Sequence, residues 1–202
     1  MFLYIDALFR QKSGSPLDSS ESGGFLTTDT PGIRCVPPFT LEPSAIMVVV
    51  SSSGNLSVFD NSDVESLLAE FGDYMESYPF TGFEECVGWY LDQIVIPVIC
   101  ANSMIHGVRS VTRWMRRLND KWAKTMGFSL ERAFWQGWYP TPRDECNDGR
   151  MDLTLDMAMK MSGIPNEEIS DEGIKPEHAI LLSRIAALNK LYDRYQKVAT
   201  KE

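Results

Sequence analysis

No apolar run in this chain approaches the roughly 20 residues that a membrane-spanning helix needs; the best candidate, Ile94 to Ala101, has only the length of a strand. Histidine is scarce, with two residues, His106 and His178, far apart in sequence. The four cysteines, Cys35, Cys86, Cys100 and Cys146, are scattered without a paired metal spacing, which argues against structural zinc. With no signal-peptide character in the opening residues, these gaps predict an intracellular, cytoplasmic, reduced protein with no membrane partner. Basic charge is nearly missing from the first half: between Ser13 and Val108 thirteen acidic residues face Arg34 alone. From Arg109 to Glu202 the balance is sixteen basic to fourteen acidic. The net charge of −9 therefore hides two electrically distinct halves, and that asymmetry suggests an interaction surface without naming its partner.

What is present suits one α/β domain spanning residues 1–202. With 44% hydrophobic content, 202 residues can bury one substantial core. Gln11 to Gly24 is rich in Ser and Gly and reads as an exposed loop at about 11–24. Gly32 to Val36 has the look of a short strand. Ala45 to Val50, a Ser51–Asn55 turn and Leu56 to Phe59 form a β-hairpin signal. Ser62-Asp63-Val64-Glu65 resembles a capping box, followed by the helical stripe Val64, Leu67, Leu68, Phe71 and Met75. The pattern then predicts a helix over about Phe83–Gln93, a buried strand over Ile94–Ala101, a long helix over about Val108–Met126 and a helix-rich remainder.

Three features carry chemistry. Asp6 stands in the apolar run Phe2 to Phe9, where a bare carboxylate is costly unless it meets a metal, a partner or the end of the sheet. Arg109, Arg113, Arg117 and Lys121 recur every four residues, joined by Arg116. This stripe is either a solvated helix face or a surface for phosphates or an acidic partner. His178 follows Pro176-Glu177 at the start of a helix with Ile180, Leu181, Ile185, Leu188 and Leu191 at core spacing, and with Arg184, Lys190, Arg194 and Lys197 available to solvent. Asp144, Glu145, Asp148 and Asp152 make an acidic cluster that reads more simply as helix capping than as a metal site. Cys100 with His106 is a weak ligand pair. Trp114, Trp122, Trp135, Trp138 and Tyr139 read as core and loop packing, although exposed members could stack on bases.

The order of these segments resembles the DEDDh family of 3′→5′ exonucleases, the ribonuclease-H-like group that includes RNase T and phage-type exonucleases. The resemblance rests on Asp6 in the first strand, the Ile46–Phe59 hairpin and the Leu67–Tyr74 helix. It continues with Val98-Ile99-Cys100-Ala101-Asn102, Phe134-Trp135, Met151-Asp152-Leu153-Thr154-Leu155-Asp156-Met157-Ala158 and His178. It implies a ribonuclease-H-like mixed sheet of three to five strands flanked by helices. It also implies an active site in which four carboxylates hold two metal ions and a histidine acts as general base.

This chain departs from that pattern at three of the four carboxylates. The Asp-x-Glu of the first motif reads Asp6-Ala7-Leu8; the acid of the strand-four motif is expected near His106; the acid five residues beyond His178 is Ser183. Asp6 and His178 would then be remnants, and the resemblance implies a pseudo-exonuclease with no cofactor. Such a protein would be a binding or regulatory module for a protein or nucleic-acid partner, with Arg109, Arg113, Arg116, Arg117 and Lys121 as its contact surface. The phage-type relatives extend this to a phage-encoded factor in the host cytoplasm. Two alternatives stay open: an active 3′→5′ exonuclease using Mg²⁺ or Mn²⁺, and an acidic interaction protein of unrelated fold that blocks a basic surface on its partner.

Overall fold

The structure is a computed structural model that describes residues 2–12, 24–78, 85–114, 128–130, 153–165 and 173–199. Among the described residues the strands are β1 (Phe2–Gln11), β2 (Leu41–Val50), β3 (Leu56–Phe59), β4 (Glu85–Gly88) and β5 (Phe128–Ser129). They form one mixed sheet in the order β3-β2-β1-β4-β5. β1 pairs antiparallel with β2 and parallel with β4; β2 to β3 is antiparallel and β4 to β5 parallel. The helices are α1 (Val64–Ser77), α2 (Ile96–His106), α3 (Leu155–Met161) and α4 (Pro176–Ala199), with residues 109–114 also helical. None of them is long and apolar enough to cross a membrane.

The register shows which helix covers which face. Side chains alternate along a strand, so Tyr4, Asp6 and Leu8 share one face of β1, and Leu3, Ile5 and Ala7 the other. Ala7 lies opposite Ile46, and Ile46 opposite Phe59. Phe59 meets Phe71 of α1 edge-on, ring centroids 5.6 Å apart, so the Ala7 face belongs to α1. On the other face Tyr4 meets Tyr192 of α4 edge-on at 6.3 Å. With helices on both sides, β1 is buried continuously from Leu3 to Phe9, as expected of a central strand with no solvent face.

The hairpin and the first helix form where the pattern places them. Gly54 takes a left-handed turn at φ +66°, which lets the chain return from β2 into β3. α1 buries Leu67, Leu68, Phe71 and Met75. Its cap is Asp63 rather than the expected Ser62, because the Asp63 carboxylate reaches the Ser66 N–H at 2.9 Å and the Ser66 hydroxyl at 2.7 Å. At Gly72 the helix comes close against the 109–114 segment: an added Cβ there would lie 2.7 Å from the Val111 backbone nitrogen.

Three local expectations are corrected. Residues 33–35 form a single 3₁₀ turn after Gly32 at φ +77°, not a strand. The helix expected at Phe83–Gln93 and the strand expected at Ile94–Ala101 are exchanged: β4 comes first, followed by a π-helical turn, Leu91–Val95, and then α2. A short apolar run does not by itself distinguish a strand from a buried helix. Here Pro97, which would delete a ladder donor in a central strand, sits in the first turn of α2, where its missing N–H costs nothing. Gly107 at φ +71° then closes that helix. Of the long helix expected over Val108–Met126, residues 109–114 are helical and 115–126 lie outside the described residues. The loop expected at 11–24, the Asp144–Asp152 cluster, Cys146, Phe134, Trp122, Trp135, Trp138 and Tyr139 lie wholly or mostly outside the described residues.

Candidate functional site

Asp6 is fully buried at the centre of the sheet, and the residue that meets it is Arg184. Expected to face solvent, Arg184 is instead 9% exposed. The reason lies in helical spacing: it stands three residues after Leu181 and four before Leu188, on the stripe that α4 turns toward β1. Arg184 Nε donates to Asp6 Oδ2 at 2.6 Å, and Nη1 to Asp29 Oδ2 at 2.6 Å. Nη2 donates to the Thr28 hydroxyl at 2.5 Å. The remaining carboxylate oxygens are also used. Asp6 Oδ1 accepts from the Ala7 N–H at 3.0 Å, and Asp29 Oδ1 from the Leu155 N–H at the start of α3 at 2.9 Å. One guanidinium thus ties together β1, the 27–30 turn and α4, and Asp29 extends the tie to α3.

Electrostatics at this centre oppose one another. Burial pushes Asp6 above the usual carboxylate range, while the charge and hydrogen bond of Arg184, with the Ala7 N–H, pull it back. Burial also works against the charged form of Arg184, but the Asp6 and Asp29 carboxylates outweigh it and hold the guanidinium firmly protonated. The outcome is a closed ion pair, because a guanidinium fork with three acceptors satisfies both charges in a largely buried site.

His178 lies elsewhere on the same helix. Its Nε2 hydrogen-bonds Asp60 Oδ2 at 2.8 Å, and Lys175 Nζ reaches the same oxygen at 2.5 Å. Asp60 follows β3, so this clip fastens the start of α4 to the far edge of the sheet. Six residues separate His178 from Arg184, about 9 Å along a helix axis, and the imidazole is occupied by Asp60. Lys175, by hydrogen bond first, and His178 hold the Asp60 carboxyl below its ordinary value of 3.8. A depressed folded-state pKa gives a stabilisation that is complete above the unfolded value and lost as pH falls through the folded one. Asp60→Asn is therefore expected to cost less than about 1 kcal/mol at pH 7, as suits a partly exposed pair. That cost should shrink as pH falls below 3.8, which denaturant titrations of both proteins over a pH series from 7 downward would measure.

The other expected positions fall as follows. Leu8 is fully buried on the same strand face as Asp6, two residues on. Ser183 is exposed on α4 beside Arg184. His106 ends α2, which packs against α1 and β2, and its Nε2 is buried without a hydrogen-bond partner among the described residues. Since the fourth strand is Glu85–Gly88, the first acid beyond it is Asp92 in the π-helical turn, not a residue near His106. The turn is entered through Tyr90 at φ +49°, a left-handed conformation uncommon for an aromatic residue. Tyr90 and Trp89 both donate to the Leu153 carbonyl, at 3.1 and 3.3 Å. Cys100, weighed as a ligand beside His106, has its thiol pushed up to about 11 by burial, which disfavours the thiolate a metal needs.

Of the basic stripe, Arg109 is exposed. Arg113 is also exposed and is held by Glu76 of α1 through two bonds of 2.5 and 2.6 Å. Arg116, Arg117 and Lys121 lie outside the described residues. Asp29, Thr28, Asp60 and Arg184 are the site residues that sequence reasoning missed. Among the described residues no group of three or more His, Cys, Asp or Glu side chains is placed to hold a metal ion. Comparison with family models, curated proteins and solved structures finds no match.

Proposed function

We propose that this chain is an exonuclease-like protein of ribonuclease-H-like build that acts as a binding or regulatory module for a protein or nucleic-acid partner, not as a nuclease. The build is supported by the strand order, with β1 central, β2 antiparallel to it, and α1 and α4 on opposite faces. The observation that carries the functional reading is the commitment of Asp6. In a metal-dependent phosphodiesterase the first-strand carboxylate must be open to a cation that activates water and stabilises the leaving oxygen. Here both of its oxygens accept hydrogen bonds, and one of the donors is a buried guanidinium whose positive charge opposes a cation at the same carboxylate.

The contact surface in this reading is the basic stripe from Arg109 to Lys121, in a chain whose preceding segment is acidic. Fluorescence anisotropy with labelled single-stranded DNA and RNA, titrated with salt, separates the partner classes. A phosphate-binding surface loses affinity steeply with salt through counterion release. Absence of binding at low salt would assign the surface to an acidic protein patch. One observation favours the alternative of an active enzyme: Asp92 restores an acid just beyond β4.

A further inference from the structure

The metal centre that an exonuclease-like reading calls for does not fit the residues around Asp6, and the misfit is specific. The four carboxylate oxygens of Asp6 and Asp29 each accept from an N–H donor: two from Arg184, one from Ala7 and one from Leu155. The Thr28 hydroxyl takes the third guanidinium contact. A divalent ion at Asp6 would have to displace Arg184 or sit beside its charge, which is held at hydrogen-bond distance from the same carboxylate.

We infer that Arg184 is the resident cation of this site: its guanidinium holds Asp6, Asp29 and Thr28 together from the position a divalent ion would require, and it closes the site to metal. The guanidinium suits this role because it is permanently charged, planar and able to bridge several acceptors in fixed directions. It joins strand, turn and helix as a coordinated ion would, without a dissociable component. With the guanidinium removed, the two carboxylates and the hydroxyl that now contact it would be left facing one another, a ligand set for a hard cation. The expectation of a metal rests on the exonuclease-like reading; the occupation of the carboxylates by Arg184 does not.

The test is Mn²⁺ binding followed by electron paramagnetic resonance of the free ion at pH 8, with full-length wild type, Asp6→Asn, Arg184→Ala, Arg184→Lys and the Asp6→Asn/Arg184→Ala double variant, each checked for folding by circular dichroism. Wild type and Asp6→Asn are expected to leave the same free Mn²⁺ signal. Arg184→Ala should remove about one further equivalent, lost again in the double variant, and Arg184→Lys should behave as wild type because it still supplies a positive charge. A Mn²⁺ site in wild type that Asp6→Asn abolishes would overturn the inference, and so would a folded Arg184→Ala that gains none. Should Arg184→Ala fail to fold, the wild-type and Asp6→Asn pair still decides. Asp6-dependent Mn²⁺ binding by wild type without nucleic-acid degradation would sink this inference while leaving a non-nuclease binding role standing.

Discussion

Replacing Arg184 with methionine is expected to lower the stability of the folded chain by about 3–5 kcal/mol, the usual consequence of leaving one member of a buried ion pair without its partner. In a chain of this size that corresponds to a drop in melting temperature on the order of 10 °C. The magnitude follows from burial: Asp6 has no exposed surface, and the Arg184 side chain is 10% exposed, so water cannot replace the lost contact. Without the guanidinium, among the described residues Asp6 keeps only the Ala7 N–H, and Asp29 keeps only the Leu155 N–H that anchors α3. The deficit should shrink as pH falls, because burial already raises Asp6 and an unpaired Asp6 would take up a proton in the folded state above the ordinary carboxylate value. Asp6→Asn introduced into the same background should recover part of the loss by removing the charge. Differential scanning calorimetry of the three proteins at pH 5 and pH 8 would check this. An Arg184→Met protein that melts with wild type would show that the network contributes nothing.

The second large effect concerns binding. Arg109→Glu with Arg113→Glu reverses two charges on the described part of the basic stripe. If the partner is a nucleic acid, affinity at low salt should fall by more than tenfold, and the slope of log K against log salt should decrease by roughly two, one for each phosphate contact. Arg113 is the more ambiguous of the pair, since its guanidinium is held by Glu76 and the glutamate replacement would face that carboxylate. Arg109→Glu alone therefore serves as the cleaner probe. The melting temperature should change little, because exposed ion pairs add little to stability. Equal salt slopes for wild type and the double variant would remove the stripe from the interface.

The parts of the fold that could be read from the residues are those in which one physical signal dominates. The Ala45–Phe59 hairpin follows from apolar alternation broken by Ser51–Asn55, and α1 from a stripe whose members are buried or half-buried. Where two signals compete, the reading goes astray. Ile94–Ala101 is apolar enough for a buried strand, and only Pro97 marks it as the first turns of a helix. Arg184 is the most consequential case, because its position belongs to the Leu181–Leu188 core stripe while its chemistry belongs to the surface. A residue of the wrong type at a core position is itself a signal, and Asp6 is the matching anomaly in β1. The two are 178 residues apart in sequence, so nothing local links them. Asp29 and Thr28 were hidden in a Thr27-Thr28-Asp29-Thr30 segment that reads as an ordinary turn, and Asp60 in the loop between β3 and α1.

The measurement that tests the central claim most directly is degradation of labelled single-stranded DNA and RNA, followed by gel in the presence of Mg²⁺ or Mn²⁺ with wild type and Asp6→Asn in parallel. With Asp6 closed by Arg184, both proteins should leave the substrates intact, with any trace of cleavage equal in the two. Stepwise 3′→5′ shortening by wild type, absent from a folded Asp6→Asn protein, would contradict the account and identify Asp6 as a working catalytic carboxylate.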